Sequence, residues 1–312
     1  MADDLTKAIL GRTGLEVTRL GYGALEVQNV GPGAPITEDQ AGVVLNATLD
    51  AGINFIDTAP CYGRSEDMIG KYISNRRSEF YLATKSGCHP ELKNVWTREN
   101  MFMTLHQSLR RLNTDYIDVI QLHNPKTFET EGSGLVDALQ EMKAQGKVRW
   151  IGVSTNLPSL ADYVEWGVFD VFQMNYSTLQ REHEDWITTM AESGIGTMIR
   201  TRAAKGEPDI AGSLAHTEGR TLSTEERWDR WEQLKMNELL EEGESSTQFV
   251  QRYTLAHPNI HTVIIGTKDP DHLAKNVETF KKGPLPPDVV KEANRRLDSA
   301  GLKARPVTVR AT

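Results

Sequence analysis

Ile53-Asn54-Phe55-Ile56-Asp57, then an amphipathic stretch over Ser65–Ile73, then Phe80-Tyr81-Leu82-Ala83-Thr84-Lys85: one strand–helix–strand unit whose repetition decides the fold. Short runs of β-branched and aromatic residues read as strands, and longer stretches with an apolar face read as helices. Working outward, the same alternation reaches both ends of the chain. The expected strands are Arg19–Gly23, Ile53–Asp57, Phe80–Lys85, Ile117–His123, Arg149–Ser154, Val171–Met174, Gly196–Arg200 and His261–Gly266. The expected helices are Thr37–Ala51, Ser65–Ile73, Thr97–Leu112, Gly134–Gln145, Pro158–Glu165, Glu182–Ser193, Glu244–Ala256 and Asp271–Phe280. Thr37-x-x-Gln40 matches a capping box. Gly146 is a helix stop, and Pro270 opens the last of these helices.

Eight such units in 312 residues predict an α/β protein, a (β/α)8 TIM barrel forming a single domain over residues 1–312. A doubly wound sheet would want a glycine-rich phosphate loop after its first strand. Leu20-Gly21-Tyr22-Gly23-Ala24 does not supply one. Three segments fall outside the units: an N-terminal β-hairpin over Ile9–Val17 that could plug one end of the barrel, and extra helices over Leu222–Glu242 and Pro287–Leu297.

A hydrophobic share of 38% is enough for a full core, which excludes whole-chain disorder. With 35 basic against 43 acidic residues, the net charge of −8 argues against nucleic acid as the main partner. No apolar run approaches a membrane span, and MADDLTKAILG has no basic-then-apolar leader pattern, so the cytoplasm is the expected location. Two cysteines, Cys61 and Cys88, cannot build a disulfide framework and fit a reducing compartment. Cys61 reads more readily as a small apolar filler than as a reactive thiol. Composition carries no signal for the oligomeric state.

In a barrel of this kind the chemistry belongs to the C-terminal ends of the strands. Asp57, Lys85 and His123 each end a strand, and Tyr62 follows Asp57 by five residues. Each has a bland reading taken singly: Asp57 as a cap, Lys85 as a solvated rim lysine, His123 as a satisfied core imidazole, Tyr62 as a ring packed in a turn. Their coincidence on adjacent strands favours a site. A free tyrosine titrates near pH 10, and a close ammonium favours its phenolate form. Lys85 could act so on Tyr62, and Asp57 could hold Lys85, because a buried cation needs a partner. Tyr62 would then give a proton to a carbonyl oxygen that His123 also polarises. Cys88 and His89 with His123 lack a fourth zinc ligand, so no metal is expected.

These residues resemble the aldo-keto reductase superfamily. Asn54-Phe55-Ile56-Asp57-Thr58-Ala59 with Tyr62-Gly63 and Ser65-Glu66 is similar to its aspartate–tyrosine signature. Ala83-Thr84-Lys85 is similar to its lysine strand and Gln121-Leu122-His123-Asn124-Pro125 to its histidine strand. The likeness runs from about Leu10 to about Asn276, through Ile151-Gly152-Val153-Ser154, Val171-Phe172-Gln173-Met174-Asn175 and Ile264-Ile265-Gly266-Thr267-Lys268.

The resemblance implies metal-free reduction of an aldehyde or ketone with NADPH, Tyr62 being the general acid. It implies that Ser154 and Gln173 hold the nicotinamide carboxamide, that Gly23 and Gly266 line the cofactor site, and that Thr267, Lys268 and Asn276 lie near the adenosine end. Lys268 is the candidate for the 2′-phosphate, as a point charge suited to a dianion. The chain departs from the family at three places. Thr155 precedes Asn156 where Asn usually follows the serine directly. Arg200 stands where many members stack an aromatic ring on the nicotinamide. His272 replaces an Arg or Gln, which leaves NADH possible. Tyr22, Leu25 and Trp96 are candidate walls of the substrate pocket, and the segments Gln28–Pro35, Lys126–Gly132 and Glu207–Gly219 its candidate selectivity loops. Two other functions remain as alternatives: a non-catalytic subunit that binds nicotinamide, and a barrel lyase using Lys85 as a Schiff base.

Overall fold

Eight parallel strands close on themselves in a computed structural model that describes residues 4–28, 36–88, 95–200 and 224–308. An antiparallel pair precedes them, β1 (Lys7–Ile9) and β2 (Glu16–Thr18). The barrel strands are β3 (Leu20–Gly23), β4 (Phe55–Asp57), β5 (Tyr81–Ser86), β6 (Ile117–His123), β7 (Val148–Ser154), β8 (Val171–Asn175), β9 (Gly196–Arg200) and β10 (Thr262–Ile265), with β10 pairing back onto β3. All eight expected strands are present, as is the hairpin.

The helices that cover the barrel start where their caps dictate. In α1 (Glu38–Asp50) both bonds of the expected capping box form, Gln40 N–H to Thr37 Oγ1 and Thr37 N–H to Gln40 Oε1. Then come α2 (Ser65–Tyr72), α3 (Arg98–Leu112), α4 (Thr127–Thr130), α5 (Leu135–Ala144), α6 (Ser159–Trp166) and α7 (Glu184–Glu192). The last four are α8 (Thr224–Gln233), α9 (Ser246–Ala256), α10 (Pro270–Lys282) and α11 (Pro287–Ser299). The single turn α4 was not expected from sequence, because four residues carry too little periodicity. The expected Leu222–Glu242 helix is two pieces in its described part: after α8 the chain turns at Lys235, at φ 53°, into a short 3-10 turn over Met236–Leu239. Residues 29–35 and the expected loop Glu207–Gly219 lie outside the described residues, as does His89.

The pleat sends successive side chains to opposite faces. Ile56, Leu82, Ile120, Ile151, Phe172 and Ile199 pack outward with the core of the covering helices. Phe55, Ala83, Val119, Val171, Met198 and Ile264 point inward and form a second core, which Leu10, Leu15 and Val17 of the hairpin segment complete. The hairpin therefore plugs the N-terminal end. Asn54 ties it down, accepting from Thr18 N–H at 2.7 Å and donating to the Glu16 carbonyl at 2.8 Å. β4 starts at Phe55 rather than at the expected Ile53, although the Asn54 carbonyl already accepts from Tyr81 N–H at 2.8 Å.

Also toward the N-terminal side, Asp118 is 1% exposed and carries two cations, with Arg77 at 2.6 Å and Arg149 at 2.8 Å, besides accepting from Leu82 N–H at 2.9 Å. Replacing it leaves a buried N–H and two guanidinium groups without their shared acceptor. Asp118→Ala is expected to lower unfolding free energy by about 3 kcal/mol or more, read as a drop in the urea midpoint at unchanged slope.

Candidate active site

Period two places the polar strand ends inside the barrel mouth. Asp57 lies two residues beyond inward Phe55, Lys85 two beyond Ala83, Gln173 two beyond Val171 and Arg200 two beyond Met198. Register brings neighbours level, with His123 opposite Ser154 and Ser154 opposite Gln173.

Asp57 and Lys85 form a buried ion pair, 4% and 1% exposed. Lys85 Nζ donates to Asp57 Oδ2 at 2.6 Å and to the Thr58 carbonyl at 2.8 Å. Gln121 Nε2 donates to Asp57 Oδ1 at 2.9 Å. Buried charges persist only when paired and hydrogen-bonded, and this pair meets both conditions. Gln121 was not among the residues expected from sequence. The signal existed: it stands two residues before His123 on β6 and so shares its face.

Tyr62 is carried by two consecutive turns, Tyr62 N–H to the Ala59 carbonyl and Ser65 N–H to the Tyr62 carbonyl, with Gly63 at φ 51° between them. A residue with a Cβ is strained at that φ. Thr58 and Ser65 hydroxyls bond to each other, and Ser65 Oγ donates to the Ala24 carbonyl, so the loop is anchored at both ends. The result sets Lys85 Nζ 5.0 Å from the Tyr62 ring centroid. His123 meets the Tyr62 ring edge-on, centroids 5.8 Å apart. Burial, then the charges of Lys85 and Arg200, hold His123 well below the usual imidazole range, so it is neutral at pH 7. The four residues expected to converge are together.

The expected cofactor residues divide into two groups. At the mouth, Ser154 Oγ donates to Gln173 Oε1 at 2.9 Å, while Gln173 Nε2 is buried without a hydrogen-bond partner among the described residues. An orphaned amide donor beside a hydroxyl fits a carboxamide group. Arg200 Nη2 spans the mouth to Asn124 Oδ1 at 3.2 Å, from a strand end beside that pair. Asn156 is buried, but its Oδ1 accepts from Asn175 N–H at 3.0 Å, which braces the loop after β7. Gly23 and Gly266 lie against each other: a Cβ on Gly266 would stand 2.6 Å from the Gly23 carbonyl oxygen.

The second group lies around the start of α10. Thr267 Oγ1 accepts from Asp269 N–H, Lys268 is exposed, and His272 Nδ1 is 3.9 Å from Asp269 Oδ2. Asn276 Oδ1 accepts from Gln251 Nε2 at 2.8 Å and so joins α10 to α9.

Of the expected pocket walls, Leu25 is half-buried in the 3-10 turn Ala24–Val27, and Trp96 is half-buried over Gly87, where a Cβ would meet the indole ring at 1.8 Å. Tyr22 corrects the expectation. It has no exposed surface, packs in the outward core with Leu20, and donates its hydroxyl to the Thr267 carbonyl at 2.7 Å. Its outward parity on β3 puts it behind the barrel wall.

The cysteines give the other correction. Cys61 is not an isolated apolar filler: it is joined to Cys88 by a disulfide, with Cα atoms 5.8 Å apart. The donor atoms of Cys61, Cys88 and His123 lie within 4.8 Å of one another.

The family model for the aldo/keto reductases matches residues 19–297, and the chain belongs to that family. Within it, the chain is 28% identical to the uncharacterized oxidoreductase YqkF of Bacillus subtilis over 92% of this chain and 95% of that one. It is 29% identical to L-galactose dehydrogenase of Arabidopsis thaliana, over 86% of each. The holo form of aldo-keto reductase AKR11C1 from Bacillus halodurans superposes with a TM-score of 0.80 at 28% identity, covering 94% of this chain and 96% of that one. The barrel thus belongs to an oxidoreductase of the aldo/keto reductase type. No helix among the described residues is long and apolar enough to cross a membrane.

Two buried imidazoles make the fold acid-sensitive. His183 accepts from Leu157 N–H at 3.0 Å, and burial pushes it down to about 3; His123 is lowered in the same way. In the unfolded chain both take up a proton near their ordinary value, about 6.5. The folded state binds fewer protons below that pH, so this contribution to stability is complete above about 6.5 and shrinks as pH falls toward 3. His183 alone should cost about 2 kcal/mol at pH 5. The urea midpoint of the wild type is expected to fall between pH 7.5 and pH 5, and to fall less in His183→Gln.

Proposed function

We propose that this protein reduces an aldehyde or ketone to the alcohol with NADPH, Tyr62 giving the proton, and that the reaction runs in both directions. The observation that supports this most directly is the buried Lys85–Asp57 pair set against the Tyr62 ring beside a neutral His123. A bound nicotinamide would supply the hydride. The protein's own task is then to hold the carbonyl and to deliver a proton to its oxygen.

Tyr62 donates that proton from its hydroxyl. The ammonium of Lys85 stabilises the negative charge left on the ring oxygen, and Asp57, fixed by Gln121, keeps the ammonium in place. His123, being neutral, can donate to the same carbonyl oxygen without competing as an acid whenever the nitrogen facing it carries the ring proton. Ser154 and Gln173 are the residues we assign to the carboxamide, on the strength of the orphaned Gln173 Nε2. Arg200 stands beside them as a flat cation in the place of an aromatic ring. Gly23, Gly266, Thr267 and Asn276 complete the proposed cofactor site, and Lys268 supplies positive charge for a 2′-phosphate beside Asp269 and His272. Leu25 and Trp96 remain the proposed walls for the substrate, and the cytoplasm the proposed location.

The lyase reading is disfavoured by the same pair. Lys85 Nζ is buried and already donates to a carboxylate and a carbonyl, whereas a Schiff-base amine must be free to attack. Borohydride with substrate and no nicotinamide should therefore trap no covalent adduct.

Tyr62→Phe is expected to lower kcat/KM for aldehyde reduction about 100-fold or more while the dissociation constant for NADPH, read by fluorescence, stays within about twofold. Full turnover in that variant would sink the mechanism, and absence of turnover in the wild type across a panel of aldehydes and ketones would favour a binding subunit. Lys268→Ala is expected to raise the dissociation constant for NADPH about tenfold and leave that for NADH nearly unchanged. Equal effects on both would remove Lys268 from the phosphate site.

A further inference from the structure

The disulfide lies inside the proposed catalytic group. Cys61 directly precedes Tyr62, and Cys88 follows Lys85 by three residues, so the bond ties the loop bearing the proton donor to the strand end bearing its ammonium. Both sulfurs also face one atom. Cys88 Sγ is 3.0 Å and Cys61 Sγ 3.3 Å from Nδ1 of His123. Cys61 is half-buried while Cys88 is 5% exposed, so Cys61 is the more accessible sulfur.

A neutral imidazole carries a single proton, and whatever faces Nδ1 decides which nitrogen holds it. A disulfide has no hydrogen to donate. Its two sulfurs present only lone pairs, which favours a proton on Nδ1 and leaves Nε2 as an acceptor. Two thiols reverse the preference. One S–H can donate to Nδ1, so the imidazole proton moves to Nε2, the nitrogen left to face a substrate. A carbonyl oxygen gains a hydrogen bond in the second case and meets a lone pair in the first. The other groups around the ring do not offset this, since Lys85 and Arg200 are cations and oppose protonation of the imidazole.

We propose that Cys61 and Cys88 form a reversible dithiol–disulfide site against His123, whose oxidation state selects the His123 tautomer and thereby switches carbonyl reduction on, as the dithiol, or down, as the disulfide. The dependence on carbonyl reduction rests on the function proposed above; the redox site and the tautomer do not.

The oxidant is a peroxide. One thiolate attacks a peroxide oxygen, giving a sulfenic acid and, from hydrogen peroxide, one water. The second thiol displaces the hydroxyl as a second water and closes the S–S bond, so two thiols lose two electrons and two protons and hydrogen peroxide becomes two waters. A small dithiol reverses the step. Its thiolate attacks the accessible Cys61 sulfur, Cys88 leaves as thiolate, and the mixed disulfide is resolved by the second thiol of the reductant. A soft cation such as zinc could also use the two thiolates and Nδ1, but these are only three donors among the described residues, and the two sulfurs are already bonded to each other.

The test uses the full-length protein in two preparations, one reduced with dithiothreitol and one oxidised with hydrogen peroxide, each freed of reagent. Expected are two titratable thiols in the first and none in the second. Nitrogen-15 NMR of labelled histidine should show the His123 proton on Nε2 in the reduced protein and on Nδ1 in the oxidised one. The kcat/KM for an aldehyde should fall about tenfold or more on oxidation and recover on re-reduction. The double variant Cys61→Ser/Cys88→Ser keeps two hydroxyl donors beside Nδ1, so it should hold the Nε2 tautomer and show no response to peroxide. Free thiols that survive oxidation, an unchanged tautomer, equal kcat/KM in the two states, or one equivalent of tightly bound zinc in the reduced protein would each overturn the proposal. If neither preparation reduces any carbonyl, the function proposed above fails and the control of catalysis falls with it. The thiol count and the tautomer then report separately whether the redox site exists.

Discussion

Two opposite charges withdrawn from water inside the barrel mouth constrain everything around them. Neither Asp57 nor Lys85 could remain ionised there alone, and their attraction offsets the lost hydration only when the remaining polar valences are met. The Thr58 carbonyl and the Gln121 amide meet them. Those two partners come from different parts of the chain, the loop leaving β4 and the middle of β6. Closing the pair therefore ties the end of β4, the start of the Tyr62 loop, β5 and β6 to one another. A barrel whose strands slipped by one residue would turn Asp57 outward and bury Lys85 without a partner.

Much of this was legible in the amino-acid sequence, for one reason. Strands two, three and four of the barrel are rich in apolar residues, and Asp57, Lys85 and His123 stand at or next to their C-terminal ends. That placement is visible without coordinates, and the barrel rule says where such residues go. Strand parity, applied more strictly, would have added Gln121 and removed Tyr22, which sits with Leu20 on the outward face of β3 and packs behind the wall. The N-terminal plug was legible as a hairpin, but the grip of Asn54 on it was not, because nothing local marks a side chain as a latch between distant segments.

The contacts that sequence could not supply are those between residues far apart in the chain with no periodic signal. Cys61 and Cys88 are separated by 27 positions, and each alone looks like a small apolar residue. Asn156 and Asn276 lie within the stretch that carries the family likeness, yet their side-chain oxygens are committed to Asn175 and Gln251. Motif position does not reveal such commitments; only the hydrogen-bond partners do.

The hairpin at the N-terminal end has a consequence for how much of the chain the barrel needs. Leu10 lies so close to Gly196 that a Cβ there would stand 2.9 Å from the leucine side chain, and Leu15 and Val17 finish the seal. The eight repeating units therefore do not complete their own interior: without this pair of strands the inward core around Phe55, Val171 and Met198 would meet water at the floor of the barrel. A segment that contributes no reactive group is thus part of the smallest unit able to close.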